Sequence, residues 1–318
     1  MYKMLDKRLL FRSIGKNEIK TQQTIYTYQL SPYDTDLQKV SQYLTQAILL
    51  EVCTHPKPGL VTRVSNGSHK DMSILTFAMS SAVLGRFFYE LQDIGMAHQG
   101  TECELLDKVR KYGVVAEREL LTVTKGVNTQ RGILFAGGLL SAAAGYAANK
   151  CLGKDELINI IKKMTAGIVQ RELKSSTAKA TAGEILYKEH GITGIRGEVE
   201  QGFPSVVNAG VPALREAFSR KACLNDALLH ALLALMTRVQ DSNVIWRTDV
   251  ATGEEVKQIA VDILRKGSVF TRAGRAAIDE ACRYFESRRI SPGGSADLLS
   301  ITITLYLLDN KEFKCNIF

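Results

Sequence analysis

Five polar stretches carry the residues whose types and spacing could do chemistry. The first runs Pro56-Lys57-Pro58-Gly59-Leu60-Val61-Thr62-Arg63 and continues through Asn66-Gly67-Ser68-His69-Lys70-Asp71-Met72. Its prolines and glycines fix an unusual backbone path. Lys57, Arg63 and Lys70 set cations along that path, and loops fixed this firmly tend to hold something. The second stretch is Lys125-Gly126-Val127-Asn128-Thr129-Gln130-Arg131-Gly132. Asn128 or Thr129 reads as a helix N-cap. Arg131 then falls in a first turn, where the dipole disfavours a cation unless an anion binds there and uses the free N–H groups.

In the third stretch, Gly194-Ile195-Arg196-Gly197-Glu198-Val199-Glu200-Gln201-Gly202-Phe203-Pro204, two carboxylates lie beside an arginine. Glu198 and Glu200 could divide between base and metal roles, or pair with Arg196 as a surface salt bridge. The fourth, Gln240-Asp241-Ser242-Asn243, offers a carboxylate and an amide at a helix terminus, or a simple cap. The fifth is Ser291-Pro292-Gly293-Gly294-Ser295-Ala296-Asp297. Its glycines let a ligand approach the backbone, and Ser295 caps a helix, which is the chemistry of a phosphate site. No G-K-[ST] follows, so it is not a Walker A loop, and no G-x-G-x-x-G follows a strand. Each stretch alone has an ordinary explanation. Together they predict one large polyanion site, with Lys57, Lys70, Arg131, Arg196 and the Gly293-Gly294-Ser295 turn converging on a single cleft.

The elements that must position these residues read as helices. Ser31, Pro32 and Asp34 give a cap, a first-turn proline and an acid at the positive end of a dipole. Val40, Tyr43, Leu44, Ala47 and Ile48 then recur at helical spacing, and Pro56 and Pro58 stop the run. Leu228, Ala231, Leu232, Leu235, Met236 and Val239 make another stripe, and Ala277, Ala281, Tyr284 and Phe285 a further one. Residues 133–146 are apolar almost all round and rich in Gly and Ala, which predicts a central helix packed on every side. Ile301-Thr302-Ile303-Thr304 alternates like a strand, but it continues into Leu305-Tyr306-Leu307-Leu308 and reads as helix. The expected fold is all-α: a single compact helical-bundle domain over residues 31–318, with functional loops at helix ends and no sheet of more than two strands. Residues 1–30 form a basic N-terminal extension.

The 318 residues carry a formal net charge of +8 with 45% hydrophobic residues, so the chain can bury a core and favours anionic partners. Nucleic acid, a membrane surface and polyphosphate metabolites all fit that charge. The basic extension lacks the interleaved aromatics of a nucleic-acid arm. No apolar run approaches the ~20 residues of a membrane span, and no signal-peptide pattern is present. The six cysteines form no C-x-x-C pair and read as reduced thiols in the cytoplasm. The histidines form no H-E-x-x-H or H-x-H, so zinc is not expected.

As a set, the stretches resemble the triphosphoribosyl-dephospho-CoA synthases that serve citrate lyase and malonate decarboxylase. The matching segments are Pro-Lys-Pro-Gly-Leu-Val at 56–61, Asn-Gly-Ser-His-Lys-Asp-Met at 66–72 and Gly-Val-Asn-Thr at 126–129. They continue with Gly-Ile-Arg-Gly-Glu at 194–198, Asp-Ser-Asn-Val at 241–244 and Ser-Pro-Gly-Gly-Ser-Ala-Asp-Leu-Leu at 291–299. Departures are Gln130-Arg131 where the family commonly has His-Lys, Thr62 where Asp is usual, and Arg247-Thr248-Asp249 in place of Arg-Gly-Gly. The resemblance implies an all-helical transferase. It would join the 5-triphosphoribosyl group of ATP to the 2′-hydroxyl of 3′-dephospho-CoA and release adenine. The product would pass to an acyl-carrier-protein prosthetic-group transferase.

On that reading Glu198 is the expected base, with Glu200 and Asp71 in reserve. Lys57, Arg63, Asn66, Gly67, His69, Lys70, Asn128, Thr129, Arg131, Gly132, Arg196, Gly197, Asn243, Gly293, Gly294, Ser295 and Asp297 are the expected nucleotide and phosphate contacts. Mg²⁺ is expected with the triphosphate, helped by Asp71 and Asp241. Two other readings are a nucleotide N-glycohydrolase with water as acceptor, and a basic helical protein that binds nucleic acid. Adenine release without dephospho-CoA would mark the first, and steeply salt-dependent binding without ATP turnover the second.

Overall fold

The computed structural model describes residues 4–6, 26–28, 36–174 and 181–315. The expected helix start at Ser31, Pro32 and Asp34 lies outside them, as does most of the basic stretch 1–30. Within that stretch β1 (Met4–Asp6) and β2 (Tyr26–Tyr28) pair antiparallel, with Leu5 opposite Thr27. Everything else regular among the described residues is helical.

A short 3₁₀ turn at Leu37–Lys39 leads into α1 (Val40–Cys53). Beyond Thr54 the chain leaves the helix, and the His55 amide donates to Asn225 Oδ1 at 3.0 Å instead of to a helical carbonyl. Pro56, which has no N–H, then makes the exit permanent. The long helices α2 (Ile74–Met96), α3 (Glu102–Val123) and α4 (Arg131–Asn149) follow. A layer of short helices comes next: α5 (Leu157–Thr165), α6 (Ile168–Leu173), α7 (Ala182–His190) and α8 (Gly194–Glu200). The C-terminal part is α9 (Val211–Ser219), α10 (Leu224–Met236), α11 (Ser242–Arg247), α12 (Val250–Arg265), α13 (Arg272–Arg288) and α14 (Gly293–Asn310).

The predicted central helix is α4, and residues 136–147 along it are buried without a break. Small residues set its contacts. A Cβ on Gly145 would lie 1.9 Å from the Gln92 carbonyl of α2, and one on Gly95 would lie 2.0 Å from the Ala142 carbonyl of α4. The two backbones therefore touch, which buries α4 deeply. By length and composition α2 and α4 could each cross a membrane, contrary to the sequence expectation. In α4, 78% of the apolar window is buried inside the bundle, so its hydropathy is spent on core packing.

The Ile301-Thr302-Ile303-Thr304 run is helix, within α14. Thr302 Oγ1 donates to the Leu298 carbonyl and Thr304 Oγ1 to the Ser300 carbonyl, both at 2.8 Å. These back-bonds satisfy the buried hydroxyls inside the helix, so strand-like alternation does not require a strand. α14 packs on α1, α4 and α10, and its first turn reaches the place where the polar stretches meet.

Candidate active site

A cavity of about 1100 Å³ opens where the first turns of α4 and α14, the face of α8 and the turn before α11 come together. Glu198 lines it. The expected glycine-rich loop around this residue is the helix α8, which turns Glu198 toward the cavity, while Glu200, two residues on, is not on the wall. The Ser205 N–H donates to Glu198 Oε2 at 3.2 Å and the Ser205 hydroxyl to Oε1 at 2.5 Å. Burial raises the Glu198 pKa and the Ser205 bonds partly oppose that rise. Arg196, expected beside Glu198, instead donates through Nε to Glu172 Oε2 at 2.6 Å, and Arg110 from α3 pairs with the same carboxylate.

Arg131 also faces the cavity, and its cost at a helix N-terminus is offset by Glu117 of α3, 2.8 Å from Nε. Neither Asn128 nor Thr129 caps α4. The cap position is Gln130, whose side chain is buried and accepts hydrogen bonds from Ser80 and Ser81. Asn128 and Thr129 line the cavity, and Thr129 Oγ1 is buried with no partner among the described residues. Also on the cavity lining, His69 Nε2 lies 2.8 Å from Ser291 Oγ, and Arg247 Nη1 lies 3.4 Å from His69 Nδ1. Burial, and then the charge of Arg247, lower the His69 pKa, so the ring is biased to its neutral form. Asn243, Gly197, Gly293, Gly294 and Gly132 also line the cavity.

Other expected residues are elsewhere. Lys57 is buried with Glu51 in an ion pair behind the wall; Glu51 lines the cavity and Lys57 does not. Arg63 is exposed and donates to the Cys53 carbonyl and Asn225 Oδ1, which ties down the loop. Asn66 and Lys70 are exposed, and Gly67 supplies a positive-φ turn whose Cβ would strike the Leu60 and Gly59 carbonyls. None of these four lines the cavity.

Neither Asp71 nor Asp241, the expected metal helpers, lines the cavity. The Asp71 side chain is 59% exposed, 3.6 Å from His69, and off the cavity wall. Asp241 is buried and committed to two helix starts. It accepts from the Asn243 and Val244 amides of α11 and from the Gly294 and Ser295 amides and the Ser295 hydroxyl of α14. The free N–H groups read as a phosphate site are thus filled by a protein carboxylate, and Ser295 faces inward to it. Among the described residues no group of three or more His, Cys, Asp or Glu is placed to hold a metal ion.

Asp297, expected at a phosphate, sits against the first turn of α4. A Cβ on Gly132 would lie 1.9 Å from Asp297 Oδ2, so the glycine makes room for the carboxylate. Burial first, then the charges of Glu51 and Asp241, raise the Asp297 pKa well above the ordinary value, while the Ile133 amide opposes them. These neighbours repel phosphate.

Several wall residues escaped the sequence reading: Glu51, Arg110, Glu117, Glu172, Arg238 and Arg247. Glu51 had a signal. It continues the apolar stripe of Leu44, Ala47 and Ile48 at helical spacing, where a charge must be paired or functional. Arg110 and Glu117 are two turns apart on α3 and only tertiary packing brings them to the site.

The chain is similar to proteins of known family. The sequence model of the CitG family, described as ATP:dephospho-CoA triphosphoribosyl transferase, matches residues 37–315. A "Probable 2-(5''-triphosphoribosyl)-3'-dephosphocoenzyme-A synthase" of Malonomonas rubra is 42% identical over 285 residues, 88% of this chain and 90% of the relative. A "2-(5''-triphosphoribosyl)-3'-dephosphocoenzyme-A synthase" of Pectobacterium atrosepticum is 38% identical over 270 residues, covering 84% and 88%. "Protein CitXG" of Leuconostoc mesenteroides subsp. cremoris is 36% identical over 284 residues, covering 86% of this chain and 60% of that protein. No solved structure matches.

Proposed function

The chain belongs to the ATP:dephospho-CoA triphosphoribosyl transferase family, and from that premise we propose how its cavity carries out the transfer. The protein is a transferase that joins the 5-triphosphoribosyl group of ATP to the 2′-hydroxyl of 3′-dephospho-CoA and releases adenine. The product is the prosthetic-group precursor for citrate lyase or malonate decarboxylase. Passage of that product to an acyl-carrier-protein prosthetic-group transferase is part of the proposal. A cytoplasmic setting accords with ATP as substrate and with six free cysteines.

Both substrates are long polyanions, and the wall offers Arg131, Arg196, Arg238 and Arg247 to their phosphates. Mg²⁺ would enter with ATP, its ligands supplied mainly by the triphosphate; among the described residues no group of three or more carboxylate, His or Cys side chains is placed to hold it. The observation that carries the mechanism is Glu198. It is a carboxylate on the cavity wall, held by Ser205 through one N–H and one hydroxyl, with lone pairs left for a substrate. The family's α-linked product and the β-linkage of ATP require inversion at the ribose carbon, which one in-line displacement achieves. Glu198 takes the 2′-hydroxyl proton as that oxygen bonds to the ribose carbon and the bond to adenine breaks. The transition state has oxocarbenium character, as in glycoside hydrolysis.

The direct test is to incubate the protein with ATP, Mg²⁺ and 3′-dephospho-CoA and follow adenine and the coupled product by mass spectrometry. Equal amounts of both are expected. Adenine released at the same rate without dephospho-CoA would make the protein a glycohydrolase.

A further inference from the structure

Three acids cluster at and behind the cavity wall, the buried Glu51 and Asp241 and the half-buried Asp297, and the cation paired with one of them is Lys57. Glu51 comes from α1, Asp241 from the turn before α11 and Asp297 from α14. The ammonium that meets this group is Lys57. With every group ionised the set would carry an excess of two negative charges inside the protein, which close carboxylates avoid by sharing a proton. The hydrogen bonds decide where that proton resides. Asp241 accepts from four amides and a hydroxyl, so its charge is the best satisfied. Glu51 is bonded to Lys57. Asp297 has the Ile133 amide and two acidic neighbours. It is also the one of the three that both faces the cavity and lacks a charged partner.

We propose that Asp297 is the acid of the transfer reaction, donating its proton to a ring nitrogen of adenine as the ribose–adenine bond breaks. The inference rests on the transferase reading above. The balance is complete. The 2′-oxygen bonds to the ribose carbon, its proton goes to Glu198, the pair of the breaking bond goes to adenine, and the Asp297 proton neutralises it. Solvent then returns a proton to Asp297 and removes one from Glu198. Val61, Met72 and Phe77 line the same cavity and give the purine an apolar surface. The two carboxylates differ in environment in the sense that separates an acid from a base. Burial raises both, but acidic neighbours push Asp297 well above the ordinary value, whereas the two Ser205 hydrogen bonds oppose the rise at Glu198.

The test compares ATP with a β-ribosyl 5-triphosphate that carries p-nitrophenol in place of adenine, a leaving group that departs without a proton. Asp297→Asn should slow the reaction of ATP at least about a hundredfold, the scale of one general acid, and leave turnover of the aryl substrate close to wild type. In the wild type, kcat with ATP should fall as pH rises through the raised Asp297 pKa, and that fall should vanish with the aryl substrate. Equal losses on both substrates, near-normal ATP turnover by the variant, or the same fall of kcat with rising pH for both wild-type reactions would overturn the role of Asp297. The wild-type comparison keeps the test decisive if the variant does not fold. A wild type that forms no coupled product from ATP would instead fail the transferase reading.

Discussion

At the scale of single residues, Glu198 and Lys57 have different work. Glu198→Gln keeps the size and the Ser205 contact but cannot take a proton. The variant should fold, bind ATP and form product at least about a hundredfold more slowly, as loss of a general base predicts. Single-turnover kinetics check this, and a rate near wild type would move the base elsewhere. Lys57 is buried against Glu51, and burial lowers its pKa while raising that of its partner. Removing one member of such a pair strands the other, so Lys57→Met should cost about 3–5 kcal/mol in denaturant unfolding. Lys57→Met combined with Glu51→Leu should recover most of that loss. If the double variant is no more stable than the single one, the pair is not the reason Lys57 matters.

At the scale of elements, one side chain fixes how two helices meet at the site. Asp241 caps α11 through the Asn243 and Val244 amides and holds the start of α14 through Gly294 and Ser295. A single cap is worth about 0.5–2 kcal/mol. Asp241→Ala should therefore destabilise the protein by about twice that, roughly 1–4 kcal/mol. Because Asn243 and Gly293 line the cavity from these two helix starts, the same change should raise KM for the nucleotide. A variant with wild-type stability would show that other contacts set the junction.

At the scale of the whole molecule, the buried acids couple stability to pH. Asp297 has a folded-state pKa above its unfolded value. Between those two values the folded state holds more protons than the unfolded one, so stability falls as pH rises through that window. Above the folded value the full penalty is present. Asp297→Asn removes this titration, so the variant should lose less stability than wild type as pH rises from the ordinary carboxylate range through the raised folded-state value. Thermal unfolding of both proteins across that range measures the difference. Parallel pH curves would mean that Asp297 is not the strained acid.

The helical fold was legible in the sequence because periodicity is local. The stripes of α1, α10 and α13 and the Gly/Ala run of α4 each bury one face or all faces, whatever their neighbours. Motif order likewise identified the family, since Pro-Lys-Pro-Gly-Leu-Val and Ser-Pro-Gly-Gly-Ser-Ala-Asp need no structure to be recognised. What each motif residue does was decided by tertiary contacts. A Gly-Gly-Ser turn reads as a phosphate cradle until Asp241, 54 residues away in sequence from Ser295, fills its amides. Lys57 reads as a ligand for an anion until Glu51 is buried against it. Arg131 reads as an unpaired cation until Glu117 arrives from α3. In each case a free charge or amide on the sequence is neutral to prediction, because desolvation forces it to find a partner and only the packed chain determines whether that partner is a substrate or another residue.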